Sequence, residues 1–142
     1  MGAPESTTEA FRCACLEFAD PATRDRAIDR FRGLADTGHA AACYNLAVLL
    51  LAGRDVARDD AAAEHYLRRA ASQRYPGSYR PLGMMALRGR LTATRTAGGD
   101  VRRYLAGQWF ARGWLAGDAE AHTLMLRHVP CLFACMVLCP WR

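Results

Sequence analysis

Thiols are the side chains best suited to chemistry in this chain, and three of its six cysteines are evenly spaced. Cys131, Cys135 and Cys139 fall at i, i+4 and i+8 in VPCLFACMVLCPWR (129–142), between Pro130 and Pro140. On a helix that spacing lines the sulfurs along one face. As thiolates they can bind metal, with His128 nearby, or carry acyl chains. Zinc sites put their cysteine pairs on turns and add a second ligand pair, which this stretch lacks, and the spacing misses the usual iron–sulfur radical pattern by one residue. No metal and no cofactor is expected. Cys13 and Cys15, two apart, point to nearly opposite helix faces and cannot chelate together. The opening MGAPES fits the myristoylation pattern M-G-x-x-x-[ST]. That makes Gly2 a candidate lipidation site, with Cys13 and Cys15 as the second acyl signal that stable anchoring needs.

The other reactive residue types form no machinery. Histidines 39, 65, 122 and 128 do not pair at metal or acid–base spacing. There is no G-x-S-x-G, H-E-x-x-H or phosphate loop. Acidic residues such as Asp59, Asp60 and Glu64 sit near expected helix starts, where they complement the dipole. The chain is therefore expected to be non-catalytic, with no small-molecule substrate. Arg88, Arg90, Arg95, Arg102 and Arg103 cluster within and beside RGRLTATRTAGGDVRR (88–103). Without interleaved aromatics or a nucleic-acid motif they read as a solvated loop. A basic nucleic-acid-binding module is the disfavoured alternative.

These residues must be positioned by helices. The chain has 142 residues, one domain's worth, and 51% are hydrophobic. Alanine, leucine and arginine, all strong helix formers, dominate, and there is a single isoleucine, Ile28. Net charge is +5, and every basic residue is arginine. The lack of lysine fits either a GC-rich genome or selection against lysine modification. The first ten residues lack the basic start and apolar run of a secretory signal. Reduced thiols and a cytoplasmic location are the expectation.

A stripe repeats along the chain. Cys43, Leu46, Ala47, Leu50 and Leu51 follow the helical period, and 36 residues on stand Tyr79, Leu82, Gly83, Ala86 and Leu87. The pattern appears again as His122, Met125, Leu126 and Val129, and earlier as Phe11, Ala14, Cys15, Phe18 and Ala19. Between these lie segments of a second type: Ala27, Phe31, Leu34, Ala35; then Ala63, Leu67, Ala70, Ala71; then Ala106, Phe110, Gly113, Trp114. The expected helices are 7–19, 21–36, 39–52, 58–73, 78–88, 101–116 and 119–128. Ser6 and Glu9 suit a capping box, and Asp20-Pro21 a cap and first-turn proline. Gly53 and Gly89 suit reversals after helices.

These residues resemble the Sel1-like repeat family, relatives of the tetratricopeptide α-solenoids. The match is carried by Gly53-Arg54-Asp55-Val56, Asp59, Ala63, Tyr66, Leu67, Ala70 and Ala71, with Asp55 in place of a glycine and Arg74 in place of the closing one. The third unit keeps Ala106, Trp109, Phe110 and Gly117, and the first keeps Ala27, Phe31, Ala35 and Gly38. The resemblance implies an all-α, right-handed α/α superhelix, here of about three to three and a half helix pairs, used as a protein–protein adaptor. Some relatives staple each unit with a cysteine pair, but Cys43 has no partner at an equivalent place. The expected layout is a disordered stretch at 1–6, a solenoid at 7–129 and an apolar Cys-rich tail at 130–142. Stacked helix pairs leave a concave surface lined by the first helix of each pair. The candidate contacts are Tyr44, Val48, Met84, Met85 and Arg88 there, and Leu132, Phe133, Met136 and Trp141 on the tail. The expected partner is another protein or peptide, with self-association through the tail as a further option. A lipid-anchored peripheral membrane protein is the alternative, and membrane contact is expected only on acylation.

Overall fold

The computed structural model describes residues 6–128, and all of its regular structure is helical. The candidate sites Gly2, Leu132, Phe133, Met136, Trp141 and the three tail cysteines lie outside the described residues. The chain divides into two compact units, Met1–Gln73 and Arg74–Arg142.

The first unit holds α1 (Thr7–Ala19), α2 (Arg24–Asp36), α3 (Ala40–Ala52) and α4 (Asp60–Ser72). Ser6 and Glu9 form the expected capping box, each side chain accepting from the other's backbone N–H at 3.2 Å. The second cap differs from expectation. Asp20 closes α1, and its carboxylate accepts from Ala22 N–H at 2.9 Å. Asp20-Pro21 thus makes a turn, and α2 starts three residues later than expected, after Thr23. His39 caps α3 by accepting from Ala42 N–H at 3.2 Å. Asp59 caps α4 by accepting from the N–H groups of Ala61 and Ala62 at 2.9 Å.

Helix packing follows the repeated stripe. Ala27, Phe31 and Ala35 of α2, Cys43, Leu46 and Ala47 of α3, and Ala63, Leu67 and Ala70 of α4 are buried. Small residues let the helices approach, and each bulky one fills the space between. On α1 only Ala14 is fully buried, while Cys15 and Ala19 face outward. The turn between α2 and α3 is tied to α4: Arg69 donates to Asp36 O at 2.9 Å and Gln73 to Gly38 O at 2.7 Å.

The second unit holds α5 (Tyr79–Leu87), α6 (Gly99–Leu115) and α7 (Ala119–His128), with single 3-10 turns at Pro76–Ser78 and Thr92–Thr94. Gly83 is the contact point of α5 and α6. A Cβ placed there would lie 2.3 Å from Phe110 Cε1. Gly113 does the same for three helices, with Ala121 Cβ 2.9 Å and Tyr79 Cβ 3.2 Å from such an atom. The arginine-rich insertion is not simply solvated. Leu91 and Thr94 are buried in it, and Arg102 donates to Thr94 O at 3.2 Å. Arg103 pairs with Asp100 at 3.7 Å.

The repeat also shows in the backbone. Gly38, Arg74 and Gly117 occupy matching positions after the second-type helices, and all three have left-handed φ: 95°, 58° and 93°. Two are glycine, for which this conformation is free. Arginine there costs about 1 kcal/mol relative to glycine.

Candidate functional site

In the first unit, α1, α2 and α3 enclose an open apolar cavity of about 220 Å³. Cys15 and Phe18 come from α1, Phe31 from α2, and Tyr44, Asn45, Val48 and Leu49 from α3. The spacing 44, 45, 48 and 49 is one helical face, so a single stretch of α3 supplies one wall. Phe31 is the buried floor, and its ring tilts against Phe18 at 6.0 Å and Phe11 at 5.9 Å. Phe11 in turn stacks on His39 at 4.8 Å. Arg24 anchors the outer edge: its guanidinium lies 5.4 Å from the Phe18 ring and 3.2 Å from Asp55. The floor is therefore fixed, while Val48, 39% exposed, stands at the rim.

The cavity has the chemistry of a binding surface. The Cys15 thiol in its wall is pushed above its ordinary pKa by burial, so it stays protonated near neutral pH. The Asn45 amide donates to that sulfur at 4.0 Å. Among the described residues no group of three His, Cys, Asp or Glu could hold a metal ion. Three of the four histidines make capping or ring contacts: His39 caps α3, His65 lies edge-on to Tyr66 at 5.4 Å, and His122 stacks on Trp114 at 4.7 Å. A neutral thiol among aromatic and aliphatic walls suits an apolar side chain of a partner.

The candidate contact residues fall out as follows. Tyr44 and Val48 meet at this cavity. Met84 is half-buried and Arg88 exposed on α5 and at its end. Met85 is only 2% exposed and belongs to the second unit's core, so its surface is spent on packing. Its place off the repeated stripe makes it a contact candidate from sequence, but on this helix the packing face is wider than that stripe. Cys13 is half-buried and Cys15 exposed, and the two are apart in role, since only Cys15 lines the cavity. Sequence reasoning missed Phe18, Phe31, Asn45 and Leu49 as cavity residues. Phe18 and Phe31 had been noted only as members of the packing stripe, and that stripe continues directly into the cavity floor. No helix of the described residues is long and apolar enough to cross a membrane.

No family model matches this chain, and no curated protein sequence matches it. Among solved structures, it is similar to the Sel1 repeat protein from Oxalobacter formigenes, with a TM-score of 0.70 and 22% identity over 86% of this chain and 89% of that one. The fold is thus a Sel1-repeat-like α-solenoid of helix pairs, all-α as the sequence indicated.

Proposed function

We propose that this chain is a non-catalytic protein-interaction adaptor whose first unit captures an apolar side chain of a partner protein or peptide. One observation carries the reading: the apolar cavity at Tyr44 and Val48, which has a rigid aromatic floor and an exposed rim. Met84 and Arg88 are separate candidate contacts of the second unit, and Leu132, Phe133, Met136 and Trp141 of the tail are proposed as an apolar docking or self-association segment. The similarity to a Sel1 repeat protein supports the class of function, since such folds mediate protein contacts. The three described cysteines are free thiols, which supports a cytoplasmic setting.

The test is affinity capture from native extract with the full chain and with Val48→Arg, which puts a charge on the rim without touching the buried floor. Val48→Arg is expected to keep the wild-type circular dichroism and melting temperature but lose specific partners. Identical partner sets for the two proteins would refute the cavity's role.

A further inference from the structure

A second surface, sharing no residue with the first, lies wholly in the unit that begins at Arg74. Arg74, Pro76, Tyr79, Arg112, Leu115 and Ala116 line an open cavity of about 330 Å³. Two features set it apart. The first is backbone geometry. Arg74 holds a left-handed φ of 58° at the position where Gly38 and Gly117 stand in the neighbouring repeats. The fold asks for a residue that tolerates this conformation, and arginine is a poor answer to that demand. What arginine adds is a guanidinium at the edge of the cavity.

The second feature is unbalanced charge. Neither Arg74 nor Arg112 has an acidic partner among the described residues. Arg112 is instead steadied by its ring neighbour, its guanidinium 4.9 Å from the centre of Trp109. Pro76, Tyr79 and Leu115 line the same cavity as the two cations, and Leu115 is 74% exposed. Two fork-shaped donors in one cavity with apolar side chains match a carboxylate next to a large apolar side chain. They match a nucleic-acid backbone poorly, because a phosphate track needs a longer row of cations and no apolar shelf.

We infer that Arg74 and Arg112 form a docking site for a partner-protein segment in which Asp or Glu adjoins Leu, Phe or Trp. The carboxylate sits between the guanidiniums and the apolar side chain rests on Tyr79, Pro76 and Leu115. The left-handed strain at Arg74 is then the cost of placing the cation. This site is independent of the Tyr44–Val48 cavity, so either can fail without the other.

The experiment uses the full chain and an array of short synthetic peptides holding Glu or Asp beside Leu, Phe or Trp. Matched peptides carry Gln or Asn in place of the acid, and a third set carries phosphoserine there. Acidic–apolar peptides are expected to bind, their amide counterparts are not, and added salt weakens the binding. Arg74→Gly and Arg112→Gln each weaken it about tenfold, the loss expected for one charge-assisted contact. Arg74→Gly does so with a melting temperature equal to or above wild type, because it relieves the strain. Val48→Arg leaves the binding unchanged. The inference is overturned if acidic and amide peptides bind alike, if phosphoserine peptides alone bind, or if the arginine substitutions leave affinity intact. It is equally overturned if Arg74→Gly lowers the melting temperature, which would make Arg74 a structural residue.

Discussion

The close approach of α5 and α6 sets a sharp test at Gly83. An alanine there would bring its Cβ to 2.3, 2.6 and 2.8 Å from Phe110 Cε1, Cδ1 and Cζ. The ring has nowhere to go, since Phe110 is fully buried. Restoring ordinary contact requires the helices to part by about 1 Å, an overpacking strain that costs up to about 3 kcal/mol. Alanine returns about 1 kcal/mol through its better helix propensity. The net expectation is a loss of about 2 kcal/mol, or a melting temperature lower by about 4–8 °C in a chain of this size. Thermal unfolding followed by circular dichroism measures it. Gly83→Ala combined with Phe110→Leu should be less destabilised than the two single changes added together, because the smaller side chain makes room. A Gly83→Ala protein as stable as wild type would refute the reasoning, since the two helices would then not be in the contact described.

Other outcomes follow from the same geometry. Gly33 lies inside α2 with nothing within 4 Å of an added Cβ, so Gly33→Ala should raise stability by about 0.5–1 kcal/mol in the same thermal assay. Gly53 has a φ of 65° and Arg58 Cβ 2.8 Å from an added Cβ, so Gly53→Ala should lower stability by about 1–2 kcal/mol. Burial raises the pKa of the Cys43 thiol above the ordinary value of 9.0. The unfolded chain therefore loses this proton first, and stability should fall as pH rises through and beyond 9.0. Cys43→Ala should flatten that alkaline limb in a plot of melting temperature against pH. In the native protein near neutral pH, iodoacetamide should label exposed Cys15 before buried Cys43, as peptide mass mapping would show.

The helices were legible because the stripe recurs, and recurrence signals a shared packing face. Each of the seven expected helices is present, with ends shifted by three residues or fewer. What was not legible were interactions that depend on geometry across helices. Asp20-Pro21 looks like a cap in one dimension, yet Thr23 donates to Glu17 O at 2.7 Å and uses the segment as a turn. The insertion at 88–98 reads as polar and basic, yet it folds back through two residues, Leu91 and Thr94, that carry no periodic signal. The cavity around Tyr44 was half visible. Its α3 wall follows from spacing, but its floor depends on Phe31 reaching across from α2, which no local pattern reports.

Departures from the repeat are where specific function should be sought, provided that packing does not already account for them. Gly83 and Phe110 meet where the preceding pair has the matching Ala47 and Leu67, while Phe31 holds the same place in the first repeat. The two changes balance: a smaller residue on one helix admits a larger one on the next, and the core stays filled. That pair needs no functional explanation. Arg74 departs from Gly38 and Gly117 without any such balance. It gains no ion pair among the described residues, and it accepts a backbone conformation that glycine would hold at no cost. A residue that the described residues neither require nor reward, lining an open cavity with a second cation that has no acidic partner among them, is best explained by a binding partner that rewards it.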